Sequence, residues 1–193
     1  MNSKGQDTKQ RLADSLKTLM QQRSFEKITI QNITDAAGFI RPTFYNHFQD
    51  KYQVVEWIFE QEVINSARSY FAAGKYKEGI RGMLEEMQAN QSFYVNAAKI
   101  SGQNAFRDVI FQSFRLLIEE VLCSRMQHRT DLPHLFQPEL LAEFYANAET
   151  FLLMKWLDND MSFHVDDMEK AHWFLISVSF EDVVKEISLP VIK

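Results

Sequence analysis

Cysteine is nearly absent from this 193-residue chain. The single Cys123 rules out an internal disulfide framework. With Val121 and Leu122 beside it, Cys123 reads as a small buried residue rather than a reactive thiol. Proline and glycine are also scarce, four and six, too few for the many turns of an all-β protein. Long apolar runs are missing. FLISVSF, Phe174 to Phe180, is too short to span a bilayer, and the opening MNSKGQDTKQRLADS lacks the apolar centre of a signal peptide. These absences predict a cytoplasmic protein with no membrane partner.

Signatures of catalysis and metal binding are lacking too. The chain has no Gly-rich phosphate loop, no Gly-x-Ser-x-Gly and no His-Glu-x-x-His. His128, His134, His164 and His172 form no pair four residues apart, and Ser177 and Ser179 read as packing residues of an apolar helix. No metal, no cofactor and no enzymatic activity are expected. What is abundant is apolar surface, 46% of residues, enough for a substantial core. Charge is uneven. Residues 1–51 carry eight Lys/Arg against five Asp/Glu, a net +3, whereas the rest carries 13 against 21, a net −8. A basic head on an acidic body fits a protein whose head alone meets a polyanion.

Periodicity predicts an all-α fold. Leu12, Leu16, Leu19 and Met20 share one face of a first helix, capped by Thr8. After the break RSFEK, Thr29 caps a short helix with Ile30, Ile33, Ala36 and Ala37 inward and Gln31, Asn32 and Asp35 outward. Gly38 ends it with a positive φ, and Pro42 opens the next helix. Asp50 caps a long helix to about Phe71, ended by Gly74, with Val54, Val55, Ile58 and Phe59 as its stripe. Further helices are predicted at roughly 76–89, 91–99, 104–129, 137–159 and 167–187.

Residues 29–48 form a unit: short helix, turn at Gly38, short helix. This is the helix-turn-helix pattern, whose second helix enters the DNA major groove with its N-terminal residues at the base edges. Arg41 and Thr43 stand at that end. Arginine offers a fork for guanine O6 and N7, and threonine can reach a thymine methyl or a phosphate. Phe44 and Phe48 are four apart and share an inward face. Tyr45, Asn46 and His47 are offset from it, with polar tips free for phosphates. Tyr45 as a packing residue, His47 as a cap, and Gln31 and Asn32 as solvated groups are the alternative readings.

The run ITIQNITDAAGFIRPTFYNHFQDKYQVVEWIF resembles the DNA-binding head of the TetR/AcrR family of transcriptional regulators. The shared pattern is Thr43, Phe44, Tyr45, Asn46, His47, Phe48 and Lys51, and DKYQVVEWIF resembles the dihydroxyacetone-kinase regulator subgroup. The resemblance is dense over residues 8–60. It implies a three-helix DNA-binding domain at 1–50 and a helical effector-binding and dimerisation domain at 51–193. It further implies that Gln31 contacts a base or phosphate, that Pro42 packs against the groove, and that Thr29, Tyr45, His47 and Lys51 hold the DNA backbone. Ile40-Arg41-Pro42-Thr43 departs from the small residues usual there, so no operator sequence transfers.

The middle helices carry Phe93, Tyr94, Phe106, Phe111, Phe114, Tyr145, Phe151 and Trp156. They are either a plain aromatic core or, as the resemblance implies, the wall of an effector pocket. Leu140, Leu141, Phe144, Ala148, Phe151 and Leu152 stripe the 137–159 helix. Trp173, Phe174, Ile176, Phe180 and Val184 stripe the last. Paired across a two-fold axis these would form a four-helix bundle, the family's usual homodimer interface. The expected protein is a dimeric repressor of a palindromic operator on double-stranded DNA, modulated by a small-molecule effector through Asp50 to Phe59. A transcriptional activator regulated by a protein partner is the alternative.

Overall fold

In the computed structural model, which describes residues 3–102, 105–126 and 137–177, the first amphipathic stretch is α1 (Ser3–Gln22). Leu12, Leu16, Leu19 and Met20 are buried on its inner side, as their spacing requires. The helix begins ahead of the predicted Thr8 cap, because the residues before Thr8 are polar and leave no apolar period to reveal them. A single 3₁₀ turn, Phe25–Lys27, buries Phe25 and leads into α2 (Ile30–Ala37) and α3 (Arg41–Tyr45). Thr34, not Ala36, takes the inward position on α2. Its hydroxyl donates to the Ile30 and Gln31 carbonyls, so a polar residue can be buried there and Ala36 is left exposed. Arg41 rather than Pro42 opens α3, and Pro42 at the second position costs nothing because that N–H has no intrahelical acceptor either.

The long helix expected after Asp50 is one rod with a fault in it. α4 (Lys51–Phe59) passes into a π-helical turn, Glu60–Ile64, and on into α5 (Asn65–Ala72). The wider turn shifts the register, yet Val63, Ile64, Ala67 and Phe71 stay buried. Gly74, at φ 74°, ends the rod. α6 (Tyr76–Ala89) folds back on α5. The approach is close because Gly79 has no side chain: a Cβ there would lie 2.6 Å from the Phe71 ring. α7 (Gln91–Ala98) docks on α1, and α8 (Phe106–Met126) packs along α9 (Pro138–Asp158). α10 (Val165–Ser177) closes onto α6, where Arg81 bridges Asp166 and Glu169. Phe180 and Val184 lie outside the described residues.

One buried cluster runs from Leu12 in α1 to Met168 in α10, so head and body share a core through α4. Cys123 departs from its expected burial: it faces outward on α8, since Val121 packs against the cluster and the helical period carries Cys123 away from it. Among the described residues no helix is long and apolar enough to cross a membrane, and no group of three acidic, His or Cys side chains converges as a metal site.

Candidate functional site

α2, which leads into the turn to α3, is fixed at both ends. At its start Thr29 and Asn32 form a reciprocal capping box, with Thr29 Oγ1 accepting from the Asn32 N–H at 3.1 Å and Asn32 Oδ1 accepting from the Thr29 N–H at 3.1 Å. At its end Gly38 adopts φ 72°, and the Phe39 N–H donates back to the Thr34 carbonyl at 2.8 Å. Arg11 completes the C-terminus of α2. Its Nη2 donates to the Ala37 carbonyl at 2.7 Å while the guanidinium covers the Phe39 ring at 4.4 Å. Spacing within residues 29–48 gave no hint of Arg11, which reaches the turn from 26 positions away.

This fixed turn divides the second helix into two faces. Phe44 and Phe48 are 0% and 3% exposed, with ring centroids 5.8 Å apart and Phe48 set edge-on to Trp57 at 6.0 Å. Arg41, Pro42, Tyr45 and Asn46 are exposed, and Thr43 and His47 are half-buried. Arg41 Nη2 donates to the Tyr45 hydroxyl at 3.1 Å, with the guanidinium 5.6 Å from the Tyr45 ring centre. Arg41, Pro42, Tyr45 and Asn46 therefore stand together on the outside, with Arg41 hydrogen-bonded to Tyr45. Ile40 is 69% exposed beside them.

Two other candidates are engaged within the protein. Gln31 Nε2 donates to Asp35 Oδ1 at 2.6 Å on the exposed side of α2. Lys51 turns its ammonium inward onto the carbonyls of Phe25 at 2.7 Å, Ile28 at 2.8 Å and Glu26 at 3.3 Å, and over the Phe25 ring at 4.4 Å. Burial lowers the Lys51 pKa from the ordinary lysine value, and nearby Glu26 opposes that. In this arrangement Lys51 ties α4 to the turn that precedes α2.

In the body, the aromatic candidates separate. Phe93, Tyr94 and Phe106 pack with Phe59 in the core, and Trp156 is buried with its Nε1 donating to the Phe163 carbonyl at 2.9 Å. Phe111 is half-buried. Phe114 and Tyr145 line a cavity of about 340 Å³ between α5, α6, α8, α9 and α10. Its wall includes Glu149 and His172, paired at 2.9 Å, which sequence reading passed over because 23 positions separate them. Phe151 lies on the outer face of α9 with Leu140 and Phe144, and Ala148 is exposed between them, whereas Leu152 is half-buried. On α10, Ile176 is exposed and Trp173 half-buried.

The end of α1 meets the rod and α7 at Glu62. Lys17 Nζ contacts both Glu62 oxygens at 2.8 Å, and the Tyr94 hydroxyl donates to Glu62 Oε2 at 3.4 Å. Asn96 Nδ2 donates to the Met20 carbonyl at 3.0 Å. Tyr94 is held neutral, its pKa pushed far above the ordinary value, mainly by burial and then by the charge of Glu62.

Comparison with known proteins agrees with this architecture. Residues 13–58 match the model for bacterial regulatory proteins of the tetR family, and residues 74–171 match a transcriptional regulator C-terminal region. A curated relative is the HTH-type dhaKLM operon transcriptional activator DhaS of Lactococcus lactis subsp. lactis (strain IL1403). It is 32% identical over 90 residues, 45% of this chain and 46% of that protein, so the match spans about half the length of each. The solved structure of the dihydroxyacetone kinase operon activator DhaS superposes with a TM-score of 0.62 at 21% identity, covering 88% of this chain and 93% of that one. Thermus thermophilus FadR, a TetR-family repressor solved with lauroyl-CoA, gives 0.61 at 18%, covering 87% and 92%. The first three helices with their fixed turn, the helical body behind them, and the family models that match both regions lead to one conclusion: the chain belongs to the TetR family and is a DNA-binding transcriptional regulator, not an enzyme.

Proposed function

We propose that this regulator binds a palindromic operator as a homodimer, with residues 1–50 as the DNA-binding head and 51–193 as the effector and dimer body, and that it acts as a ligand-responsive repressor. The observation that carries the DNA reading is the split of residues 41–48: Phe44 and Phe48 are buried while Arg41, Pro42, Tyr45 and Asn46 stand together outside. Arg41 reads a base edge by its fork, Ile40 offers an apolar contact for a thymine methyl, and Tyr45, Thr43 and His47 hold phosphates. The dimer reading rests on α9, where Phe144 is 68% and Phe151 57% exposed in line with Leu140, an apolar stripe that a partner copy would cover. For the coupling, the rod from Lys51 to Ala72 begins under the head and ends with Phe71 at the cavity. A ligand that prefers one rod position would change the spacing of two heads.

The name of the Lactococcus lactis relative, a transcriptional activator, favours a second reading, that this regulator activates transcription instead. Selection of bound genomic fragments with and without candidate effectors, followed by transcription in vitro, separates the readings. The expected result is a dyad with half-sites about one helical turn apart, ligand-dependent release, and transcription that rises on release. Transcription that falls on release would make it an activator. A site without dyad symmetry would end the dimeric-operator reading.

A further inference from the structure

Among the described residues, Ile40 is the most exposed large apolar side chain. It holds the cap position of α3, with φ −92°, ψ 153° and no side-chain cap hydrogen bond. Serine, threonine, aspartate and asparagine stabilise such a position, and isoleucine is among the poorest residues there. A serine oxygen at 40 could accept from the Thr43 N–H, which donates to the Ile40 carbonyl at 2.9 Å. Position 40 thus gives up both a cap and burial. A residue that breaks two local rules at once is expected at a functional site.

Arg41 follows it directly. One Nη2 N–H goes to the Tyr45 hydroxyl at 3.1 Å, which leaves the remaining N–H groups of the guanidinium for a base. Neighbouring Cα atoms lie about 3.8 Å apart and stacked base pairs about 3.4 Å, so consecutive residues can address consecutive pairs.

Resting on the DNA reading above, we propose that Ile40 is a specificity-determining residue, and that each operator half-site sets a T·A pair directly beside the G·C pair read by Arg41. Isoleucine has no side-chain donor or acceptor, so it cannot read a hydrogen-bonding edge. The one apolar group that the four bases display in the major groove is the thymine methyl. Contact between the two removes apolar surface of both from water. A cytosine there would press its amino group against the isoleucine and lose water without gaining an acceptor. Ile40 and Arg41 together specify two adjacent pairs, one by apolar contact and one by hydrogen bonds.

The full chain and the operator selected from genomic fragments test this. Thymines are replaced one at a time by uracil, which lacks only the methyl, and guanines by 7-deazaguanine, which lacks the N7 acceptor. Affinity is read by fluorescence anisotropy. The expected result is one thymine per half-site at which uracil weakens binding about threefold to tenfold. It lies beside a guanine at which 7-deazaguanine costs about fivefold or more. Ile40→Ser is expected to abolish the uracil effect and keep the 7-deazaguanine effect, while its melting temperature holds or rises with the new cap. Three outcomes would overturn the proposal while base reading by Arg41 stands: no uracil-sensitive thymine, a sensitive thymine away from the sensitive guanine, or a uracil effect that survives Ile40→Ser. A lower melting temperature for Ile40→Ser would make Ile40 a structural residue and overturn it as well. If neither analogue matters at any position, base reading by α3 falls with it.

Discussion

Arg41 and Tyr45 lie one helical turn apart, so the phenol accepts from the guanidinium and restrains it before DNA arrives. Pre-organisation of this kind lowers the ordering cost of a base contact. Arg41→Ala is expected to weaken the preferred operator by about 1–3 kcal/mol and unrelated DNA much less, measured by fluorescence anisotropy. Equal losses on both would make Arg41 a phosphate contact. Lys51 offers a contrasting case, since all three carbonyls it reaches belong to its own chain. Lys51→Met is expected to destabilise the head by about 1–3 kcal/mol, because acceptors lose a charged donor, while the salt dependence of DNA binding keeps its slope. A slope shallower by about one unit would show instead that Lys51 reaches a phosphate.

Among the elements, the α2–α3 turn is the one most exactingly built. Gly38 takes a left-handed conformation, and Arg11 Nη2 lies 3.3 Å from where a Cβ would be. Gly38→Ala is expected to cost roughly 1–2 kcal/mol from the backbone alone, read from urea unfolding. It should also displace Arg11 from the Ala37 carbonyl and lower operator affinity. A fully stable variant with unchanged DNA binding would show that the turn tolerates another path. The cap, the glycine and the buried Phe44–Phe48 pair were all legible in the sequence, because each depends on residues within a turn or two of the chain. The π-helical turn at Glu60–Ile64 was not, since its apolar positions still satisfy a helical stripe on either side.

Across the whole molecule, Lys17, Glu62 and Tyr94 join the head to the body at one point. The fold favours neutral Tyr94, so its folded pKa is above the unfolded one. The stability this contributes is present below about pH 10 and lost as pH rises past it, where the unfolded chain ionises. Tyr94→Phe is expected to flatten the alkaline decline in stability relative to the parent, by up to about 1.4 kcal/mol per pH unit. Identical alkaline profiles would mean that Tyr94 already ionises in the folded protein. The exposed stripe of α9 belongs to the same scale. Phe144→Asp is expected to shift a dimer toward monomer in sedimentation equilibrium and to weaken operator binding with it. A variant that remains dimeric would move the interface elsewhere.

The sequence by itself determined the helical fold, the helix-turn-helix, and the division of residues 41–48 into buried phenylalanines and outward polar groups, because these are consequences of periodicity and local turn chemistry. Tertiary structure alone decided where distant partners meet. It brought Arg11 to the end of α2, turned Lys51 inward, placed Cys123 outside, and set Glu149 against His172 in the cavity wall. It also sorted the aromatic residues, sending Phe93, Tyr94 and Phe106 to the core and leaving Phe114 and Tyr145 at the cavity. Helical spacing fixes which side of a helix a residue occupies. Only packing fixes what stands opposite.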